Sequence, residues 1–349
     1  MKAYVYPADT YGCGYYRLIW PAQALRAQGH DVEIVLPKQR GNSLHAEVDD
    51  DGNMLRAHWP ADADVIVLQR ITHRQLIQAV KLMTREIAVV IDMDDDLAAI
   101  DPNNPAWKAM HPTYGYSPLH SWLNTQAACD AATLVTVSTD ALLPRYARHG
   151  RGVVLRNRVP ERYLKIERTD SGVLGWGGAL HVHPSDVQVM GPTIATLTAS
   201  GEQFRVVGPR DGVARALGCS EDAVESTGTR DLQTEWPEAL ATLGVGVAPL
   251  ANTRFNRSKS WLKVLEYSAL GVPWIASPRD EYRRAHAESE AGLLAERPKH
   301  WLRAARELLH SEARRCELSE AGRAWAAQNT IEGHAWRWAE AWEHAVQNR

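Results

Sequence analysis

The 349-residue sequence has no excess of either charge: 39 Lys and Arg stand against 42 Asp and Glu, for a formal net charge of -3. That balance excludes a global attraction to nucleic acid or to an anionic membrane and leaves only local basic patches. Cysteine is scarce. The four present, Cys13, Cys129, Cys219 and Cys316, are widely spaced with no CxxC pair. This excludes a disulfide framework and a thiolate metal site, and fits a reduced, cytoplasmic setting. No apolar run is long enough to span a bilayer, and the chain enters a short apolar strand at residue 3 with no signal-peptide pattern. Phenylalanine is nearly absent, with two Phe beside 13 Trp and 11 Tyr. Aromatic contacts therefore fall to rings with a polar handle, which serve cores but also suit sugar and base stacking. A complete GxGxxG is missing too: Gly12-Cys13-Gly14 has no third glycine after it. A dinucleotide-dependent dehydrogenase is a weak reading for that reason.

What is present is a regular alternation. Apolar runs at 3–6, 31–36, 65–68, 88–91, 134–137 and 153–155 read as strands, and amphipathic stretches at 15–28, 74–84, 119–131 and 141–148 read as helices between them. After a polar linker at 156–169 the pattern restarts, with strands at 173–176, 204–207, 245–249 and 274–276. Alternation of this kind implies parallel sheets covered by helices on both faces. The expected fold is therefore α/β: two doubly wound, Rossmann-like domains facing a cleft, with C-terminal helices. The domains are expected at 1–160 and 161–330, with 331–349 a helix packing back on the first. Trp301, Trp325, Trp336, Trp338 and Trp342 recur on apolar stripes of the tail and read as packing residues.

Ligands of such sheets bind outside the carboxyl ends of the strands, which singles out a few loops. Gly12-Cys13-Gly14 follows the first strand and Gly177-Gly178 opens the second domain at the equivalent place; glycines there let backbone approach a diphosphate. Each is also compatible with a plain tight turn, and Cys13 reads as a small packing residue. His181 and His183 follow, without a third metal ligand, so no metal site is expected. Asp92 to Asp96 form an acidic strand end suited to sugar hydroxyls, to helix capping or, least, to a cation. The loop at 102–116 carries Trp107, His111, Tyr114 and Tyr116, a platform for a sugar or base, or a structural lid. In the segment from Asn256 to Ser277, Lys259, Lys263, Glu266 and Leu270 fall at i, i+4, i+7 and i+11, one helix face. Cations at a helix start suit a phosphate, and a carboxylate one to two turns on suits sugar hydroxyls. An ordinary charged surface helix has the same spacing.

Several of these motifs, in order along nearly the whole chain, resemble the GT-B glycosyltransferases, and most closely the large retaining, nucleotide-sugar-dependent group (family 4-like). They are Trp176-Gly177-Gly178, Phe204-Arg205-Val206-Val207-Gly208, Gly246-Val247-Ala248-Pro249-Leu250 and the run from Lys259 to Gly271-Val272-Pro273. In the first half they are Gly12-Cys13-Gly14, Ala24 to Val32, Val135-Thr136-Val137-Ser138-Thr139 and Leu155 to Pro160. The resemblance implies transfer of a sugar from a nucleotide-sugar donor, UDP being the favoured nucleotide, to an acceptor hydroxyl with retention and without a required cofactor. Glu266 matches the second glutamate of that group's Glu-x7-Glu motif, which holds the donor ribose; the first would be Ser258, a departure. The usual Arg and Lys after the first donor-domain strand are also missing, so the diphosphate charge passes to Arg257, Lys259 and Lys263. The resemblance thus implies Lys259 and Asp94 as catalytic groups, Gly12, Gly14, Gly177, Gly178, Arg257, Lys259, Lys263 and Glu266 as donor-binding groups, and Tyr15, Arg17, Asp95, Trp107 and His111 on the acceptor side. The acceptor is left open among a glycan, a protein and a hydroxymethylated DNA base of the viral kind, in a bacterial or virus-infected cytosol. A basic rim of Arg145, Arg148, Arg151, Arg156 and Arg158 is the feature that favours DNA. The same architecture also admits a nucleotide-sugar epimerase or hydrolase, or a non-catalytic nucleotide-sugar binding protein.

Overall fold

The computed structural model describes residues 1–37, 44–51, 53–115, 119–180 and 184–349. His181, His183 and Tyr116 lie outside the described residues. The chain forms two compact units, Met1–Asn157 with Ile331–Arg349, and Arg158–Thr330.

Unit 1 contains β1 (Lys2–Tyr6), β2 (Asp31–Ile34), β3 (His45–Val48), β4 (Met54–His58), β5 (Val65–Gln69), β6 (Ala88–Met93), β7 (Leu134–Val137) and β8 (Gly152–Val154). Six of them make a sheet in the order β2-β1-β5-β6-β7-β8, with every pairing parallel. β5 and β6 are buried along their whole length, which is why they read as continuous apolar runs rather than alternating ones. The winding direction reverses between β1 and β5, the place where a doubly wound sheet opens a crevice at its carboxyl edge. β3 and β4 form a separate antiparallel pair in a stretch whose polar sequence gives no strand signal. One face of the sheet packs on the helix Trp336–Gln347, with Trp338 and Trp342 in the core beside Val5, Leu18, Val67 and Val90. Trp336 departs from the packing expectation: it is 54% exposed, because it begins the helix on the side away from the sheet.

Unit 2 contains β9 (Leu174–Gly177), β10 (Phe204–Val207), β11 (Val224–Ser226), β12 (Val245–Ala248), β13 (Trp274–Ala276) and β14 (Gly292–Leu294). Their order is β11-β10-β9-β12-β13-β14, again all parallel, with the reversal between β9 and β12. β11 and β14 are three residues each, too short for periodicity to reveal. Leu174, Trp176, Ile194, Phe204, Trp301 and Leu308 belong to the core.

Candidate donor and acceptor sites

The reversal point of unit 2 is built from glycines and one tyrosine. β9 and β12 pair only at Leu174 and Gly175 and then separate. The Tyr267 hydroxyl fills the gap, accepting the N–H of Gly177 at 3.0 Å and donating to Val247 O at 3.3 Å. Gly178 N–H donates to Val207 O at 2.9 Å, drawing the end of β10 close. Gly208 has φ +153, and a Cβ there would collide with Gly178 O, so only glycine completes this edge.

Tyr267 belongs to the helix Leu262–Ala269, and Lys263, one turn earlier on the same face, reaches the same glycine. The Lys263 ammonium donates to Gly177 O and lies 4.8 Å from the centroid of the Trp176 ring. Burial pulls its pKa below the ordinary lysine value; Glu266 opposes that shift and Lys259 adds to it. Glu266 is 5% exposed and accepts the Trp236 indole N–H at 2.9 Å. Gly177, Gly178, Lys263 and Glu266 therefore meet at one strand end.

Lys259 departs from the expected geometry. The helix begins at Leu262, so Lys259 lies before it and does not share a helix face with Lys263. Its ammonium stands 4.4 Å over the Phe255 ring. Arg257 ends the short helix Arg254–Arg257 and is exposed. Ser258, where the family resemblance calls for glutamate, is buried and turns its hydroxyl back on Phe255 O at 2.7 Å. The loop preceding it is fixed by buried Asp186, which accepts Ala251 N–H at 2.9 Å and the Asn256 amide at 2.5 Å. Asp186, Trp236 and Tyr267 were not singled out by sequence. Tyr267 adjoins Glu266 and was within reach of a helix-face argument; Trp236 comes from a helix whose contact with the site has no local signal.

In unit 1, Gly12-Cys13-Gly14 is not a loop but the first turn of the helix, which continues through a π-turn at Tyr15–Ile19 into Trp20–Ala27. Its N-terminus is already capped: Asp9 Oδ1 accepts Tyr11 N–H at 3.0 Å and Gly14 N–H at 2.9 Å. A Cβ at Gly14 would collide with Asp9 O. Gly12 is half-buried, as is Tyr15, whose ring packs 5.1 Å from that of Trp20. Burial pushes the Cys13 thiol well above its usual pKa, which suits packing rather than nucleophilic chemistry.

Arg17 corrects the acceptor assignment. Its side chain is 0% exposed and forks onto Asp92 at 2.7 and 3.0 Å, with further bonds to Leu155 O and Asn157 Oδ1. Thr136 donates to the same carboxylate at 2.7 Å. A guanidinium so enclosed binds the sheet together and cannot touch an acceptor. The acidic strand end is thereby divided. Asp92 serves this pair, Asp96 takes Arg145 at 3.1 Å, and Asp94 and Asp95 remain at the carboxyl edge beside Arg70. Arg70 follows β5, a strand end passed over in the sequence although it obeys the same positional rule as the others.

The aromatic loop forms as a stack. Trp107 and His111 have centroids 4.5 Å apart, and His111 and Tyr114 5.0 Å; Tyr114 is 66% exposed. The basic rim, by contrast, is spent internally. Arg148 pairs with Asp130 and Arg156 with Asp140. Arg151 donates to Thr133 O and Ala132 O, and in unit 2 Arg158 bonds Asn329. Among the described residues no group of three His, Cys, Asp or Glu side chains is placed to hold a metal ion, and no helix is long and apolar enough to cross a membrane.

Two parallel six-stranded sheets, each with a reversal of winding direction, are the architecture of the GT-B class of fold. Residues 172–311 match the family model described as Glycosyl transferases group 1, and the chain has the GT-B fold. Solved structures share its architecture over their whole length. HepE of Anabaena in complex with UDP is 16% identical with a TM-score of 0.63, covering 99% of this chain and 100% of that one. Sucrose-phosphate synthase of Thermosynechococcus elongatus is 12% identical at 0.64, covering 100% of both. An alpha-glucosyltransferase in complex with UDP and a 13-mer DNA containing an HMU base is 11% identical at 0.64, covering 99% of both. No curated protein sequence matches the chain.

Proposed function

We propose that this protein is a glycosyltransferase that moves a sugar from a UDP-sugar to an acceptor hydroxyl with retention of configuration, in the cytoplasm. The observation that carries the reading is the Lys263 ammonium on Gly177 O, with Glu266 one turn further along the same helix, at the reversal point of the domain that matches the family model. UDP is present in the HepE and alpha-glucosyltransferase structures, which supports it as the nucleotide. Lys263 and Lys259 neutralise the diphosphate, Gly177 and Gly178 admit it to the strand end, and Glu266 accepts the ribose hydroxyls. Arg257, at the exposed helix end, meets the outer phosphate. The bond between the anomeric carbon and the UDP oxygen breaks as the acceptor oxygen bonds that carbon on the same face. The acceptor proton passes to the departing phosphate oxygen, and UDP leaves with the electron pair. The chain's contribution is positioning and electrostatic stabilisation of the leaving diphosphate.

On the acceptor side, Asp94 orients the attacking hydroxyl, Asp95 and Tyr15 line the approach, and Trp107 with His111 forms the face on which a sugar ring stacks. Arg145, Arg148 and Arg156 are each paired with a carboxylate, which leaves less charge for the phosphates of a duplex and favours a glycan acceptor over DNA. A mass-spectrometric transfer screen with UDP-glucose against monosaccharides, oligosaccharides and hydroxymethylated DNA tests this. Transfer is expected to a sugar, and Lys263→Ala and Glu266→Ala, each folded, are expected to lower turnover by at least about tenfold. Near-normal rates in both variants sink the site assignment. Donor loss that needs no acceptor replaces transfer with hydrolysis.

A further inference from the structure

Arg70 is one of two non-glycine residues with a left-handed backbone among the described residues, with φ 46. The other, Glu290, closes a helix, an ordinary use of that conformation. Arg70 closes none. It leaves β5 at the reversal point of the unit 1 sheet, and its strained backbone is pinned by an N–H bond to Asp92 O at 3.1 Å. Strain of this kind persists only where neighbours impose it, and it clusters where a side chain must be aimed.

The neighbours that impose it are all present. Gln69 donates to Cys13 O at 3.1 Å and accepts Ala8 N–H at 3.0 Å, tying β5 to the first turn of the helix and to the loop before it. Asp9 is immobilised as the cap of that helix by one oxygen and takes Arg70 Nη2 with the other. The same guanidinium turns its Nε toward Asp94 Oδ1 at 3.6 Å. Asp94 is the largest influence raising the Arg70 pKa. Asp9 thus acts as a fixed anchor, Arg70 as an arm, and Asp94, 8% exposed, as the group the arm holds at the carboxyl edge.

We propose that Arg70 is a positioning residue of the acceptor side: clamped by Asp9, its guanidinium fixes the Asp94 carboxylate in the orientation that receives the acceptor hydroxyl. This rests on the role given to Asp94 under the proposed function. The left-handed backbone explains why the aim is fixed, since the side chain leaves the strand in a direction an extended residue does not offer.

Arg70→Gly is the informative variant, because glycine takes the same backbone without strain and the fold is retained. Transfer from UDP-glucose to the sugar acceptor found in the screen is followed by steady-state kinetics, UDP binding by calorimetry and folding by thermal melting. The expected result is a fall in kcat of about 30-fold, in line with the cost of a displaced reacting group, with acceptor KM and UDP affinity within about threefold. Arg70→Lys, which keeps the charge but loses the fork, recovers part of the loss. A kcat for Arg70→Gly within about twofold of the unaltered protein, while Asp94→Asn is inactive, overturns the inference alone. A matching loss of UDP binding and melting temperature in Arg70→Gly overturns it in favour of a structural role. Unchanged turnover in Asp94→Asn, or no transfer by the unaltered protein to any acceptor, overturns the reading on which it rests.

Discussion

Lys263 sits in an environment that disfavours its charged form. Because burial lowers its pKa in the folded chain below 10.5, the unfolded chain binds more protons between the folded value and the ordinary one. Stability from this group therefore rises with pH across that window. A diphosphate at Gly177 and Gly178 acts in the opposite sense, since it favours the ammonium. UDP affinity is accordingly expected to fall as the pH rises through the depressed pKa of Lys263. Calorimetric titrations from about pH 7 to about pH 10 check this against the ordinary lysine value. Lys263→Met is expected to bind UDP about 10- to 100-fold more weakly, as for loss of a charge-assisted bond, and to lose the alkaline limb. A limb that persists unchanged in that variant assigns it to another group.

At the scale of elements, the donor edge depends on how β9 and β12 part. Their pairing stops at Gly175, and Tyr267 supplies the missing link through its hydroxyl. Tyr267→Phe keeps the ring under the sheet but strands the Gly177 N–H and the Val247 carbonyl. A loss of about 1–3 kcal/mol is expected from two buried groups left unpaired, read by urea unfolding, together with weaker UDP binding because Gly177 O is the Lys263 acceptor. Unchanged stability and binding together show that the hydroxyl is not what holds this edge. The helix after β1 tells a related story in unit 1. Its π-turn places Arg17 inward, where it joins Asp92, 75 positions away, and removing one partner of such a pair is strongly destabilising because the other charge stays buried.

At the scale of the molecule, the last segment completes the first unit. Ile331–Arg349 belongs with Met1–Asn157, and its Trp338 and Trp342 sit at 1% and 0% exposure in that core. Deleting 331–349 takes two buried tryptophans from one face of the sheet, at about 3–5 kcal/mol each by analogy with large-to-small core changes. That sum rivals the whole stability of a typical domain, roughly 5–15 kcal/mol. Unit 1 is expected to lose its protection in hydrogen exchange when the segment is removed, and retained protection of β5 and β6 defeats the prediction.

Much of this was legible in the residues themselves. Apolar runs such as Val65–Gln69 and Leu134–Val137 announce buried parallel strands; the rule that ligands gather at strand ends points to Gly177, Gly178 and Asp94 as candidates, and helix spacing to Lys263 and Glu266. Local pattern sufficed there because strand and helix formation are local and the strand end follows from them. It did not reveal the three-residue edge strands β11 and β14 or the start of the helix at Leu262. It also could not separate working charges from spent ones. Arg145 meets Asp96 across 49 positions and Arg148 meets Asp130 across 18, so part of a rim that reads as basic is matched by carboxylates once folded. The sequence by itself determined the class of fold and the strand edges at which the candidate sites lie; only the tertiary structure decided which charged groups remain at those edges, because ion pairing and burial depend on partners that no local spacing identifies.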